Sequence, residues 1–137
     1  PNVVPQINDF DINDKYVEFE KASINYQEEF CKAKLMVTDY SSVYFDFGYL
    51  KKPVIYYQED REKFFEGQLY QKGYFDYDTM GLGPCYTDYD KFIDNLIKII
   101  KNDCVLDKKY LNVINSTFKF YDTKNCERVY NEIMKLK

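Results

Sequence analysis

The sequence predicts an α/β domain, a Rossmann-like parallel sheet with flanking helices. Three observations carry that expectation. Leu35 to Val37 and Val54 to Tyr57 are short apolar runs without charge, as strands covered on both faces are. Between them the period becomes helical, with Val43, Phe47 and Leu50 at i, i+4 and i+7. A strand, a polar turn, a helix and a second strand in so little chain imply a parallel βαβ crossover.

The other elements follow in order. Residues 1–15 read as an irregular lead-in with two prolines around Val3, Val4 and Ile7. Tyr16 to Phe19 alternates like a short strand. Asn25 followed by Glu28 is a helix-cap signal, opening a helix from Tyr26 to Ala33. Together these give β-α-β-α-β over 16–57, half of a doubly wound sheet. Residues 58–87 are loop-rich: a charged loop from Gln58 to Lys63, an aromatic helical segment opening at Phe64 and Phe65, then an irregular stretch from Tyr70 to Tyr86. Gly73, Gly81, Gly83 and Pro84 punctuate that stretch. Residues 88–137 read as structural helices. Thr87 and Asp90 have capping-box spacing, and Phe92, Leu96 and Ile100 form one row beside Ile93 and Ile97. A second helix runs from Asp107 to about Phe118. A third is capped by Thr123, with Val129, Ile133 and Leu136 on one face. The whole chain, 1–137, reads as one domain. It starts at Pro1 without a methionine, and a piece of a longer protein is expected.

Composition narrows the function. Fifteen tyrosines and eleven phenylalanines in 137 residues are enough aromatic mass for a packed core, which excludes wholesale disorder. A net charge of −4 makes a nucleic-acid partner unexpected and gives no broad attraction to anionic membranes. Cys31, Cys85, Cys104 and Cys126 are far apart, and there is no histidine to complete a zinc site. Four free thiols in a reducing compartment, no metal and no required cofactor are the expectation. No signal peptide or membrane-length apolar run is visible.

The chemistry concentrates at Thr38-Asp39-Tyr40-Ser41-Ser42. This turn follows a strand and precedes a helix, where backbone N–H groups and small hydroxyls suit an anion, and where parallel sheets usually bind ligands. A serine that merely caps the helix is the alternative. Asp46 falls on the apolar face of the helix, so its carboxylate needs a hydrogen-bond donor. Either it accepts locally, from Ser42 one turn back or from a neighbouring backbone N–H, or it shapes the ligand turn. Arg61, in the loop after the second strand, can pair with a phosphate or lie in the solvated first turn of a helix. Asp76, Asp78 and Asp88, with Tyr74, Tyr77 and Tyr86, can recognise hydroxyls or a base, or simply pack at the domain edge.

The run Thr38-Asp39-Tyr40-Ser41-Ser42-Val43-Tyr44-Phe45-Asp46, then Lys52-Pro53-Val54-Ile55-Tyr56-Tyr57, resembles the central motif of the CDP-glycerol glycerophosphotransferase family, which includes teichoic acid primases and polymerases. Asp60, Gly73-Tyr74-Phe75-Asp76-Tyr77 and Gly81-Leu82-Gly83-Pro84 agree in order. The resemblance runs from about Val17 to the C-terminus. It implies the C-terminal, donor-binding half of a two-lobed GT-B fold, with the N-terminal lobe as missing partner. CDP-glycerol is then the donor and a membrane-linked polymer the acceptor. Ser41 and Ser42 contact the donor phosphates, supported by Thr38, Asp39 and Asp46, and Arg61, Gly83 and Pro84 lie near the nucleotide or polyol. The implied location is cytoplasmic, peripheral at the inner face of the bacterial membrane.

The family's reaction depends on histidines, and this chain has none. No catalytic residue is therefore assigned here, and the chain alone is expected to be inactive. A non-catalytic nucleotide- or phosphate-binding module is the second reading. A receiver-like domain with Asp39 as phosphoacceptor is the third, and it lacks the acidic pair such a domain needs on its first strand.

Overall fold

The computed structural model describes residues 9, 14–19, 24–64, 66 and 73–136. It divides into two compact units, Pro1–Ala33 and Lys34–Lys137.

In the first unit the expected strand at Tyr16 to Phe19 does not form. Asp14 turns the chain instead. Its carboxylate accepts from the Tyr16 N–H at 2.7 Å and its carbonyl from the Val17 N–H at 3.1 Å, a local bond that competes with extended pairing. The expected helix does form, as α1 (Tyr26–Lys32). Asn25 caps it through the Gln27 N–H at 3.2 Å and donates its own amide to Glu28 at 2.8 Å.

The second unit is α/β. Its sheet holds β1 (Met36–Thr38), β2 (Val54–Tyr57) and β3 (Cys85–Tyr86), all parallel, in the order β1-β2-β3. The crossover between β1 and β2 carries α2 (Tyr44–Tyr49). β2 is central and side chains alternate along it. Tyr56 meets Tyr44 of α2 edge-on, while Tyr57 stacks on Phe92 of α3 (Tyr89–Lys101). Helices therefore cover both faces of β2, and Val54, Ile55 and Tyr56 are buried. This explains the uninterrupted apolar run. With Phe47, Leu82, Phe92 and Ile114 they form the core. Burying each such side chain contributes about 1.5–3 kcal/mol.

Three expectations fail for stated reasons. β1 is an edge strand, and Val37, in register with Ile55, is 48% exposed; α2 packs on β1 and β2, whereas α3 packs on β2 and β3. β3 comes from the stretch read as irregular, because two residues are too few for a period. The charged loop after β2 is not the start of a helix. It is a run of turns, with Asp60 O accepting from Lys63 and Phe64 N–H. Phe65 and Tyr70 lie outside the described residues.

The C-terminal helices form with shifted caps. Asp88, not Thr87, caps α3, accepting from the Lys91 N–H at 2.9 Å. Phe92 is buried, but Ile97 and Ile100 are exposed. The helix closes on Asp103 and Cys104, both left-handed (φ 52° and 54°), with Cys104 N–H bonded to Ile99 O and Asp103 N–H to Ile100 O. Asp107, read in the sequence as the first residue of the helix, instead caps α4 (Lys108–Thr117), accepting from the Lys109 N–H at 2.7 Å. α5 (Asn125–Met134) starts after Lys124 with no side-chain cap, so Thr123 does not serve. Val129, Ile133 and Leu136 are exposed. No described helix is long and apolar enough to cross a membrane.

Candidate functional site

All three strands end on the same edge of the sheet, and the segments leaving them are Asp39 to Ser42, Gln58 to Arg61, and Thr87 to Asp88. A cleft of about 750 Å³ opens there. Tyr40, Gln58, Arg61, Glu62 and Thr87 line it from the strand ends, Tyr44 and Phe45 from α2, and Gly73 to Tyr77 from the opposite wall. This is where an open parallel sheet binds ligands.

The floor is organised by Gln58, which is 1% exposed. Its amide donates to the Asp39 carbonyl at 3.0 Å and accepts from the Cys85 thiol at 3.2 Å, while its N–H donates to Tyr86 O at 2.8 Å. One residue, through its side chain and its backbone N–H, thus ties together the ends of all three strands. Burial pushes the Cys85 thiol up from its ordinary value, opposed by the nearby Arg61 charge. The walls are aromatic. Tyr40 stacks on Phe64 and donates its hydroxyl to Asp60 at 2.9 Å. Tyr44, Phe45, Phe75 and Tyr77 meet at tilted and edge-on angles. Burial raises Tyr40, and the bond to Asp60 adds to it, so the hydroxyl stays a donor.

Arg61 stands over this floor. It forks onto Asp78, with Nη1 at 3.0 Å and Nη2 at 2.9 Å from the two carboxylate oxygens. That hydrogen bonding raises the Arg61 pKa. Asp76 accepts from the Asp78 N–H, the Thr79 N–H and the Thr79 hydroxyl, and the Thr79 bonds hold its carboxyl below the ordinary range.

The residues singled out in the sequence divide between two places. Thr38 ends β1. Asp39 Oδ1 accepts from the Ser41 N–H at 3.2 Å and Ser41 Oγ from the Val43 N–H at 3.5 Å. Both serines are exposed beside the cleft, and neither caps α2 through its side chain. Asp46 is exposed and, among the described residues, has no bond to Ser42. The six-residue α2 turns it outward, so the expected buried carboxylate is not found. Gly83 and Pro84 lie elsewhere. Gly83 backs onto the Val54 carbonyl at the start of β2, and Pro84 lines a second cleft on that side. Arg61 is the distal residue that the fold brings to the strand ends.

Sequence reasoning missed Gln58, Tyr40 and Tyr44. An amide closing an apolar strand looks like any loop residue, and a tyrosine among fifteen carries no signal of its own. Among the described residues no cluster of acidic or sulfur ligands suits a metal ion. All four cysteines are free.

The sequence profile of the CDP-Glycerol:Poly(glycerophosphate) glycerophosphotransferase family matches residues 1–135. The minor teichoic acid biosynthesis protein GgaB of Bacillus subtilis is 38% identical over 136 residues, covering 99% of this chain and 14% of that protein. The teichoic acid glycerol-phosphate transferase of Staphylococcus aureus is 36% identical over 89 residues, 63% of this chain and 22% of that protein. The teichoic acid ribitol-phosphate primase of Bacillus spizizenii is 30% identical over 95 residues, 69% of this chain and 23% of that protein. The chain thus spans less than a quarter of the length of each of these relatives. No solved structure matches it significantly. With nearly every residue covered by the profile, the chain belongs to the CDP-glycerol:poly(glycerophosphate) glycerophosphotransferase family.

Proposed function

We propose that this chain is the donor-binding lobe, in a GT-B arrangement, of a transferase in teichoic acid biosynthesis. The whole protein moves glycerol phosphate, or a related polyol phosphate, from a CDP-linked donor to a cell-surface polymer or lipid-linked acceptor. It acts at the inner face of the membrane. In the reaction an acceptor hydroxyl oxygen attacks the glycerol-phosphate phosphorus, the bond to CMP breaks, and CMP leaves with the electron pair. The acceptor proton passes to a base. The chain has no histidine, and we assign that base to another part of the whole protein. By itself the chain is a binding lobe without transferase activity.

The observation that carries this reading is the cleft at the carboxyl ends of three parallel strands, with the Asp39–Ser42 turn on its edge. The turn's own bonds, 3.2 and 3.5 Å, are long for hydrogen bonds. Phosphate oxygens can take over these N–H groups and the serine hydroxyls, stabilising charge on the transferred group. Asp39 and Thr38 orient the turn, and Arg61 reaches the same ligand. No cofactor is assigned.

The test is an NMR titration of the chain with CDP-glycerol, CDP and UDP-N-acetylglucosamine, with Ser41→Ala alongside. Expected are preferential binding of the CDP ligands, shifts at residues 39–42, and about 5- to 10-fold weaker binding in the variant, the worth of one hydrogen bond to a charged group. Equal binding of the uridine nucleotide, or unaltered binding by Ser41→Ala, overturns the reading. The missing histidine favours a second reading, a non-catalytic nucleotide- or phosphate-binding module. Transferase activity in the full-length protein would exclude it.

A further inference from the structure

Of the described residues lining the cleft, Arg61 alone is cationic, facing the carboxylates Glu62 and Asp76. An arginine there is useful to an anion only if its planar fork is aimed, because a free side chain loses rotamer entropy on binding. Arg61 is aimed by the opposite wall. Asp76 ties down the turn at Asp78 and Thr79 through three bonds of 2.9–3.0 Å to one oxygen. A further bond, Met80 N–H to Asp76 O at 2.7 Å, closes the turn. Gly81 keeps it tight, since a Cβ there would stand 2.2 Å from Tyr77 O. The turn thus presents Asp78 in a fixed place, and Asp78 grips both terminal nitrogens of Arg61.

A guanidinium has five N–H donors. Asp78 takes two and Cys85 Sγ a third at 4.0 Å. The other two have no partner among the described residues. The arginine side chain is 26% exposed and Asp78 is 60% exposed. The carboxylate therefore faces water while the cation lies toward the cleft.

We propose that Asp78 is a positioning residue, held by Asp76, that sets Arg61 as the phosphate-recognising cation of this cleft. This deepens the donor-lobe reading and rests on it for the identity of the ligand. The chemistry recognised is a phosphate monoester or diester oxygen. It can belong to the donor's diphosphate or to the polyol phosphate of the acceptor.

The experiment titrates the 137-residue chain with CDP-glycerol, glycerol 3-phosphate and cytidine, following the Arg61 Nε–Hε signal as well as the backbone. Asp78→Asn, Arg61→Lys and Asp78→Glu accompany the native chain. The expected result is an Arg61 side-chain shift with phosphate ligands and none with cytidine. Binding weakens about 3- to 10-fold in Asp78→Asn and about 10-fold in Arg61→Lys, which keeps the charge and loses the fork. Asp78→Glu restores most of it. Tighter binding by Asp78→Asn overturns the proposal, because Asp78 then competes with the ligand for Arg61. CDP-glycerol shifts at residues 39–42 with a silent Arg61 overturn it while leaving the donor-lobe reading standing. Glycerol 3-phosphate moving Arg61 without any CDP-glycerol binding supports the phosphate site, assigns it to the acceptor and removes the donor reading. Binding of none of the three removes both. The native-chain Arg61 signal decides the matter even where a variant does not fold.

Discussion

Replacing Gly83 by alanine is expected to unseat β3. A Cβ on Gly83 would stand 1.7 Å from Val54 O, 2.6 Å from Val54 C and 3.3 Å from Val54 Cα. The first contact falls 1.3 Å short of the 3.0 Å below which real Cβ atoms are essentially never found. The obstacle is backbone, so no rotamer change relieves it, and the strand segment after Gly83 must move bodily. The Tyr56 N–H to Pro84 O bond (2.9 Å) and the Gln58 N–H to Tyr86 O bond (2.8 Å) join these two strands. Losing both costs about 0.5–1.5 kcal/mol each, and the overpacking strain adds about 1–3 kcal/mol. The expected loss is about 2–6 kcal/mol, or a fall in Tm of about 10 °C or more. Urea and thermal unfolding of Gly83→Ala measure it, with Gly73→Ala as control. That glycine has nothing within 4 Å of the added carbon, and its substitution is expected to change stability by less than about 0.5 kcal/mol. A Gly83→Ala chain melting within about 2 °C of the native one, with its β2–β3 amides still protected from exchange, would refute the reasoning. Gly83 would then be open to the nucleotide-contact role that its sequence context suggests.

Gln58→Leu keeps the volume but strips the Asp39 carbonyl and the Cys85 thiol of their partner. A loss of about 1–3 kcal/mol in urea unfolding is expected, with faster amide exchange at residues 39–42. At high pH, burial holds the Tyr44 and Tyr56 hydroxyls protonated in the fold well above the ordinary tyrosine value. Their share of stability is complete below about pH 10 and is lost as pH rises beyond it. Absorbance at 295 nm is therefore expected to show a last tyrosinate step coinciding with loss of the circular dichroism signal. A full tyrosine complement ionised with that signal intact would contradict it. Asp103→Gly removes a non-glycine residue from a left-handed position and breaks only the exposed pair with Lys34. The melting temperature is expected to hold or rise, a gain of up to about 1 kcal/mol.

The sequence by itself determined the crossover and its chemistry. The apolar run at β2, the helical spacing from Val43 and the cap residue Asn25 are local signals, governed by side-chain alternation and by nearby backbone bonds. They needed no distant partner to be read. The serine-bearing turn and the family membership were legible for the same reason, since both are contiguous strings of residues. Tertiary structure decided what depends on partners far along the chain. It made β1 an edge strand and left Val37 bare. It recruited two residues of a glycine-punctuated stretch as β3, because Val54 O and Gly83 can approach only where no Cβ intervenes. It turned Asp46 to solvent on a helix too short to bury it, and sent Gly83 and Pro84 away from the cleft. It also joined Arg61 to Asp78, and Gln58 to Asp39 and Cys85, across 17 to 27 residues of chain. A charge in a loop and an amide at a strand end acquire their meaning only from what the fold sets beside them, and here it sets both at the carboxyl edge of the sheet.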